Sequence, residues 1–144
     1  MELVKLTEKQ KALDVLEEFS DIFPHLCEKV DNIENYAEKL IRYSNFYIAR
    51  QDGENFGLAV FYSNDFTTKT AYISLIGIKK VSQGKGLGKW LLVKCEEESK
   101  KQGMTKISLE VDCDNVGAIT FYKKNGFVIG THTERNSMYM HKNL

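Results

Sequence analysis

The chain has 144 residues, 42% of them hydrophobic and 11% aromatic, and its 20 basic side chains balance 20 acidic ones. This is the length of one domain, with enough apolar material for a single sizeable core. A formal net charge of zero provides no long-range field that would draw the surface to nucleic acid or anionic lipid. Cys27, Cys95 and Cys113 are odd in number and show no C-x-x-C spacing, which points to reduced thiols rather than a disulfide framework or a thiolate zinc site. No stretch is long enough to span a bilayer, and the N-terminus Met1-Glu2-Leu3-Val4-Lys5 lacks the apolar core of a signal peptide, so the expected setting is cytoplasmic. With one proline, Pro24, and no repeat or low-complexity tract, one domain over residues 1–144 is the simplest organisation.

Leu3 to Leu6 can open with a strand, and Thr7 is a suitable N-cap for a helix carrying Leu13, Leu16 and Phe19 at helical spacing. After Pro24, apolar groups at Ile33, Tyr36, Ala37, Leu40 and Ile41 predict a second helix. Phe46 to Arg50 and Phe56 to Tyr62 are β-rich and flank the turn pair Asp52-Gly53, the signature of a hairpin. Thr70 to Ile78 reads as a further strand. A helix follows from about Leu87, with Leu87, Leu91, Leu92 and Cys95 on its apolar side and Gly103 at its end. Ile107, Leu109 and Val111 alternate with polar residues as in a half-buried strand; a short helix from about Val116 to Asn125 stops at Gly126. Two last strands are expected near Phe127 to Gly130 and Ser137 to His141. The class is mixed α/β. Strand, helix and strand from Thr70 onward make a β-α-β unit, whose strands pair in parallel by a right-handed crossover, and ligands gather at such carboxyl ends. Gly77, just inside the end of the first of these strands, can mark a bulge that frees the Ile78 amide, or can simply relieve packing.

Between that strand and its helix stands Gln83-Gly84-Lys85-Gly86-Leu87-Gly88. Glycines here let the backbone take φ > 0 and let a ligand approach with no Cβ in the way. The helix start adds unpaired N–H groups and a partial positive charge, so a phosphate or pyrophosphate placed against it is stabilised. Two better-known phosphate loops do not fit. G-x-G-x-x-G begun at Gly84 would need glycine at Lys89, and the P-loop would need glycine at Gln83 and Ser or Thr at Trp90. Lys79, Lys80, Lys85 and Lys89 surround the corner, a pattern shared with ordinary solvated faces.

Gln83-x-x-Gly86-x-Gly88 after a strand resembles the (Arg/Gln)-x-x-G-x-(G/A) motif of the GNAT-type N-acetyltransferase superfamily. Asn115, Ala118, Tyr122, Gly126 and Phe127 match N-x-x-A-x-x-x-Y-x-x-x-G-F, similar to that family's later motif and at the expected distance. The resemblance extends over the order of elements along essentially the whole chain. It implies one GNAT-like domain: a central, mostly antiparallel mixed sheet with a parallel, splayed β-α-β pair and flanking helices. It also implies acetyl-CoA as cosubstrate, with no metal. Pantetheine would lie in the gap between the splayed strands against the main chain of Ile78 and Lys80. Pyrophosphate would lie on the amides of Gln83, Gly84, Lys85, Gly86, Leu87 and Gly88, with Lys89, Asn115 and Tyr122 completing the coenzyme site.

Acetyl transfer to an amine develops a negative oxygen, for which the Ile78 N–H is the candidate donor, and releases a thiolate that a hydroxyl can protonate. By resemblance that acid is Tyr122; the competing reading is a buried aromatic beside Ile119 and Phe121. The amine must shed a proton first, and Glu110, Asp112, His132 or water could receive it. Protein-acetylating relatives often carry a glutamate early in the strand before the glycine corner; this chain has Tyr72 and Ser74 in that neighbourhood. Cys113 as a nucleophile is disfavoured, with no histidine close to it in sequence. The family's acceptor sites correspond to Asp21 to Arg42 and Gly130 to Ser137, where Asp21, Glu28, Asp31, Glu34 and Glu38 could attract a cationic amine. The expected function is an acetyl-CoA-dependent N-acetyltransferase for a primary amine of a small molecule (amino sugar, amino acid or polyamine) or peptide. The alternative is a non-catalytic acyl-CoA sensor. No nucleic-acid or membrane partner is expected; a homodimer through an exposed last strand is open.

Overall fold

A computed structural model of the chain describes residues 1–24, 26 and 32–144. Among them run β1 (Glu2–Lys5), α1 (Lys9–Glu18), α2 (Ile33–Tyr43), β2 (Asn45–Gln51), β3 (Glu54–Tyr62), β4 (Thr70–Ile78), a 3₁₀ turn (Lys80–Ser82), α3 (Leu87–Lys101), β5 (Lys106–Asp112), α4 (Val116–Lys124), β6 (Val128–His132) and β7 (Ser137–Asn143). The strands form one sheet in the order β1-β2-β3-β4-β5-β7-β6. Every neighbouring pair is antiparallel except β4 and β5, which run parallel across the α3 crossover. The architecture is the one expected.

Period-two alternation gives the sheet two apolar faces. On β3, Leu58 and Val60 join Leu16, Phe19 and Leu40 from α1 and α2 in one core. Ala59 and Phe61 point the other way, into a core with Leu91, Leu92 and Cys95 of α3. The hairpin between β2 and β3 turns on Asp52 and Gly53 with φ of 52° and 79°, the two positive values a type I′ turn requires. At α1 the expected cap is displaced by one residue. Glu8, not Thr7, is the N-cap and its side chain makes no capping bond, because the chain is still tied to the sheet at Leu6, whose N–H bonds the Phe46 carbonyl at 2.8 Å. Asn32 does cap α2, accepting from the Asn35 N–H at 3.1 Å.

The bulge falls elsewhere than at Gly77. Val60 faces Leu75 and Phe61 faces Ile73, so the register of β3 on β4 shifts and Ser74 is left over. The extra residue reverses the alternation of β4. Ala71 and Ile73 face the α3 core, Leu75 the opposite one, and Ile76 and Ile78 the α3 core again. A bulge bends its strand and steepens its twist. β4 pairs with β5 from Thr70/Lys106 to Ile73/Leu109 and no further, so the two part where that bend lies. Gly77 sits in regular register opposite Leu58. Its missing side chain serves packing: a Cβ there would lie 2.7 Å from Ile22 Cγ2 and 2.9 Å from Phe23 Cζ.

Candidate active site

The phase of the β3–β4 ladder decides where the main chain of Ile78 points. Lys79 donates its N–H to the Phe56 carbonyl at 2.9 Å. In an antiparallel ladder bonded and unbonded pairs alternate, so Gly57 and Ile78, the next pair, are unbonded. The N–H and C=O of Ile78, and those of Ile76 before it, therefore face the gap left by β5. Gln83 Nε2 donates to the Ile78 carbonyl at 2.9 Å. The Ile78 N–H has no protein acceptor among the described residues.

Beyond the strand end, Gly84 and Gly86 have φ of 80° and 78°, and a Cβ on either would meet nothing within 4 Å. Glycine is needed here for the backbone turn itself. Among the described residues the amides from Gly84 to Lys89 have no protein acceptor, and the first bond of the α3 start runs from Trp90 N–H to the Gly86 carbonyl at 3.2 Å. Six open donors at the positive end of a four-turn helix are the arrangement that suits an anion. The lysines contribute unevenly. Lys79 turns away to pair with Glu18, its ammonium 5.2 Å from the Phe19 ring centroid. Lys80, Lys85 and Lys89 are exposed. Lys80 lies past the end of β4 in the 3₁₀ turn, and its carbonyl accepts from the Gln83 N–H at 3.3 Å, so it does not extend the ladder as Ile78 does.

Two cavities meet in the gap. One, of about 460 Å³, is lined by Ile78, Gln83, Gly88, Asn115, Phe121 and Tyr122. The other, of about 420 Å³, is lined by Tyr72, Ser74, Glu110, Asp112 and Arg135, with Ile22 and Phe23 as an apolar wall. Ile76, Asn115, Ala118 and Tyr122 line both. These four residues mark the junction, and three of them stand on α4 or at its start, where Asn115 caps the helix by accepting from the Ala118 N–H at 3.1 Å. Phe121 and Phe127 hold the Tyr122 ring at centroid distances of 5.4 Å and 5.5 Å. Burial, and to a smaller extent the neighbouring Cys95, pushes its pKa up to about 12, so the hydroxyl keeps its proton across the physiological range.

The model of the acetyltransferase (GNAT) family matches residues 12–127. The chain belongs to the GNAT family. A mycothiol acetyltransferase of Streptomyces coelicolor is 33% identical over 103 residues, 72% of this chain and 32% of that protein. The chain therefore spans about a third of that relative's length. N-alpha-acetyltransferase 30 of Schizosaccharomyces pombe is 30% identical over 112 residues, 71% of this chain and 75% of that one. A Bacillus anthracis acetyltransferase solved in complex with acetyl coenzyme A is 28% identical with a TM-score of 0.65, over 74% of this chain and 67% of the other.

In this GNAT domain the candidate bases differ in their surroundings. Glu110 accepts from Ser137 Oγ at 2.5 Å and from Arg135 Nη2 at 3.2 Å and 3.3 Å. It also lies near Tyr72, whose pKa is raised to about 12 by burial first and by Glu110 second. Asp112 is exposed at the cavity edge. His132 and Cys113 line neither cavity; the Cys113 N–H is spent on the Asn136 carbonyl at 2.9 Å. Of the acidic residues expected to attract an amine, Asp21, Glu34 and Glu38 are exposed and line neither cavity. Glu28 and Asp31, like His25 and Cys27, lie outside the described residues. Among the described residues the acidic groups lining these cavities are Glu110 and Asp112. Ile22, Phe23 and Arg135 fall inside the two segments expected at the acceptor site, Asp21 to Arg42 and Gly130 to Ser137, though no motif singles them out. The first two belong to the turn after α1 and carry no periodic signal, and Arg135 reaches the site only because the β6–β7 turn folds back on β5. Among the described residues no helix is long and apolar enough to cross a membrane, and no group of three or more His, Cys, Asp or Glu could hold a metal ion.

Proposed function

We propose that the chain transfers the acetyl group of acetyl-CoA to a primary amine, of a small molecule or a peptide, by direct attack with both substrates bound. The observation that carries this is the unpaired Ile78 N–H in the gap between β4 and β5, beside a junction of two cavities that Tyr122 lines. The residues present fit the coenzyme. The open amides of Gly84 to Lys89 suit its diphosphate, and the outward main chain of Ile76 and Ile78 suits the extended amide-bearing arm. Bound there, it supplies an acetyl group activated as a thioester.

The roles of the chain's own groups follow from position. The Ile78 N–H donates to the carbonyl oxygen on which charge develops. The Tyr122 hydroxyl, kept protonated by burial, donates to the departing sulfur. Glu110 or Asp112 receives the ammonium proton through water in the 420 Å³ cavity. Gln83 secures the strand end by holding the Ile78 carbonyl. The free thiols Cys95 and Cys113 suit a cytoplasmic setting. The test is release of free thiol from acetyl-CoA across a panel of amines, together with calorimetric titration of coenzyme A. Thiol release with at least one amine is expected. Coenzyme binding without any release would leave the acyl-CoA sensor as the reading.

A further inference from the structure

The cavity on the acceptor side of Tyr122 does not end at β5. It continues into an outer recess of about 530 Å³ lined by Asp112, Asp114, Asn115, Arg135 and Asn136, three of which line the inner space as well. An acceptor seated at Tyr122 thus has room to extend outward past Arg135. Among the described residues, Glu110, Asp112 and Asp114 line these two spaces, with Arg135 as the one cation. That balance favours an ammonium and opposes a second carboxylate beside it.

The Arg135 side chain is 75% exposed, but the turn that carries it is tied down. Its turn is closed by Thr133 N–H to the Ser137 carbonyl at 2.9 Å and by the Thr133 and Ser137 hydroxyls at 2.5 Å; Arg135 N–H bonds Thr133 Oγ1 at 3.2 Å. Asn136 ties the turn to the end of β5 through the Cys113 N–H at 2.9 Å and Asp114 at 3.1 Å. Only Nη2 of Arg135 is engaged, by Glu110; among the described residues Nε and Nη1 have no partner. A guanidinium held at one nitrogen, with open donors at the other two and carboxylates around it, suits a neutral carbonyl oxygen. Opposite it, Ile22, Phe23, Leu75 and Ile76 offer an apolar wall to whatever the carbon bearing the amine also carries.

Resting on the acetyltransferase reading above, we propose that the acceptor is the α-amine of a peptide with an apolar first side chain, and that Arg135 selects it by donating to the backbone carbonyl next to the amine. The amine faces Tyr122, the side chain meets the wall of Ile22 and Phe23, and the rest of the peptide leaves through the outer recess. Arg135 is a specificity residue and takes no part in the proton transfers.

Three acceptors separate these contacts: leucyl-glycinamide, which has all of them; free leucine, which adds a carboxylate; and isopentylamine, which lacks the carbonyl. Thiol release should give leucyl-glycinamide a kcat/KM at least about tenfold above each of the others. In Arg135→Gln the ratio of leucyl-glycinamide to isopentylamine should fall about tenfold. Arg135→Lys, which keeps a cation beside Glu110 but lacks the planar fork, should not restore it. Equal use of the three acceptors, a preference for free leucine, or an unchanged ratio in Arg135→Gln would overturn the proposal. Should no amine release thiol, the acetyltransferase reading itself falls. Calorimetry on the coenzyme A-loaded protein then decides: leucyl-glycinamide binding tighter than isopentylamine supports the carbonyl contact, and equal affinity overturns it.

Discussion

Gln83 Nε2 holds the carbonyl of Ile78 at 2.9 Å, five residues back along the chain. The bond spans the 3₁₀ turn and fixes the end of β4 against the start of the glycine corner, so the unpaired Ile78 amide and the open amides of that corner are positioned as a unit. Gln83→Ala removes the donor and leaves a carbonyl facing the gap. We expect a loss of about 1 kcal/mol in stability, a lower melting temperature and a several-fold rise in KM for acetyl-CoA. Thermal melts and coenzyme titration measure both, and an unchanged KM would show that the bond does not organise the coenzyme side.

Tyr122→Phe keeps the ring between Phe121 and Phe127 and deletes only the hydroxyl. The expected result is a fall in kcat of about 10²-fold, with coenzyme affinity within about twofold and no loss of thermal stability. If turnover survives at the wild-type level, Tyr122 is not the acid.

The same residue bears on pH. Burial raises the pKa of Cys95 from 9.0, and of Tyr72 and Tyr122 from 10.0, to about 12 in each case. The unfolded chain gives up these protons near the ordinary values, the folded chain only near 12. Between those limits the folded state binds more protons, so stability falls as pH rises. Unfolding midpoints should be insensitive to these three groups below about pH 9 and decline from there towards 12. For the same reason kcat should show no alkaline limb from Tyr122 below about pH 10.

Gly77→Ala tests a contact rather than a backbone conformation. The new methyl would meet Ile22 and Phe23 at under 3 Å, so the apolar wall of the acceptor cavity must move. A destabilisation of about 1–3 kcal/mol is expected, with KM for the amine changed and that for acetyl-CoA unaffected. Phe23→Ala in the same chain should relieve part of the loss. Steady-state kinetics varying each substrate in turn would expose a wrong assignment if the coenzyme KM moved instead.

Much of this molecule was legible in the residues alone because its signals are local. Asp52-Gly53 specifies a turn, alternation at Ile107, Leu109 and Val111 specifies a strand, and Gly84 and Gly86 take the positive φ values that their spacing suggests. The proposed coenzyme side draws most of its groups from two stretches, Ile78 to Lys89 and Asn115 to Tyr122, each with its own local pattern, which made it readable. The acceptor side is assembled from Phe23, Tyr72, Glu110 and Arg135, four elements distant in sequence, and no local rule joins them. Gly77 was open to two readings, and packing decided between them. Thr7 is a good capping residue that the sheet keeps out of position. The bulge did leave a trace, a slip from Ala71 and Ile73 to Ile76 and Ile78 in the residues facing α3, which a strand of regular alternation cannot show.

That slip sets a constraint on how such a chain can vary. One surplus residue, Ser74, opens a wedge in an otherwise continuous sheet. A variant shortened by this single residue would give β4 an even cadence and let Leu75 through Ile78 zip back onto β5, sealing the wedge with no residue of its rim exchanged and Ser74 alone removed. Residue spacing in this stretch, as much as residue identity, is what selection must guard.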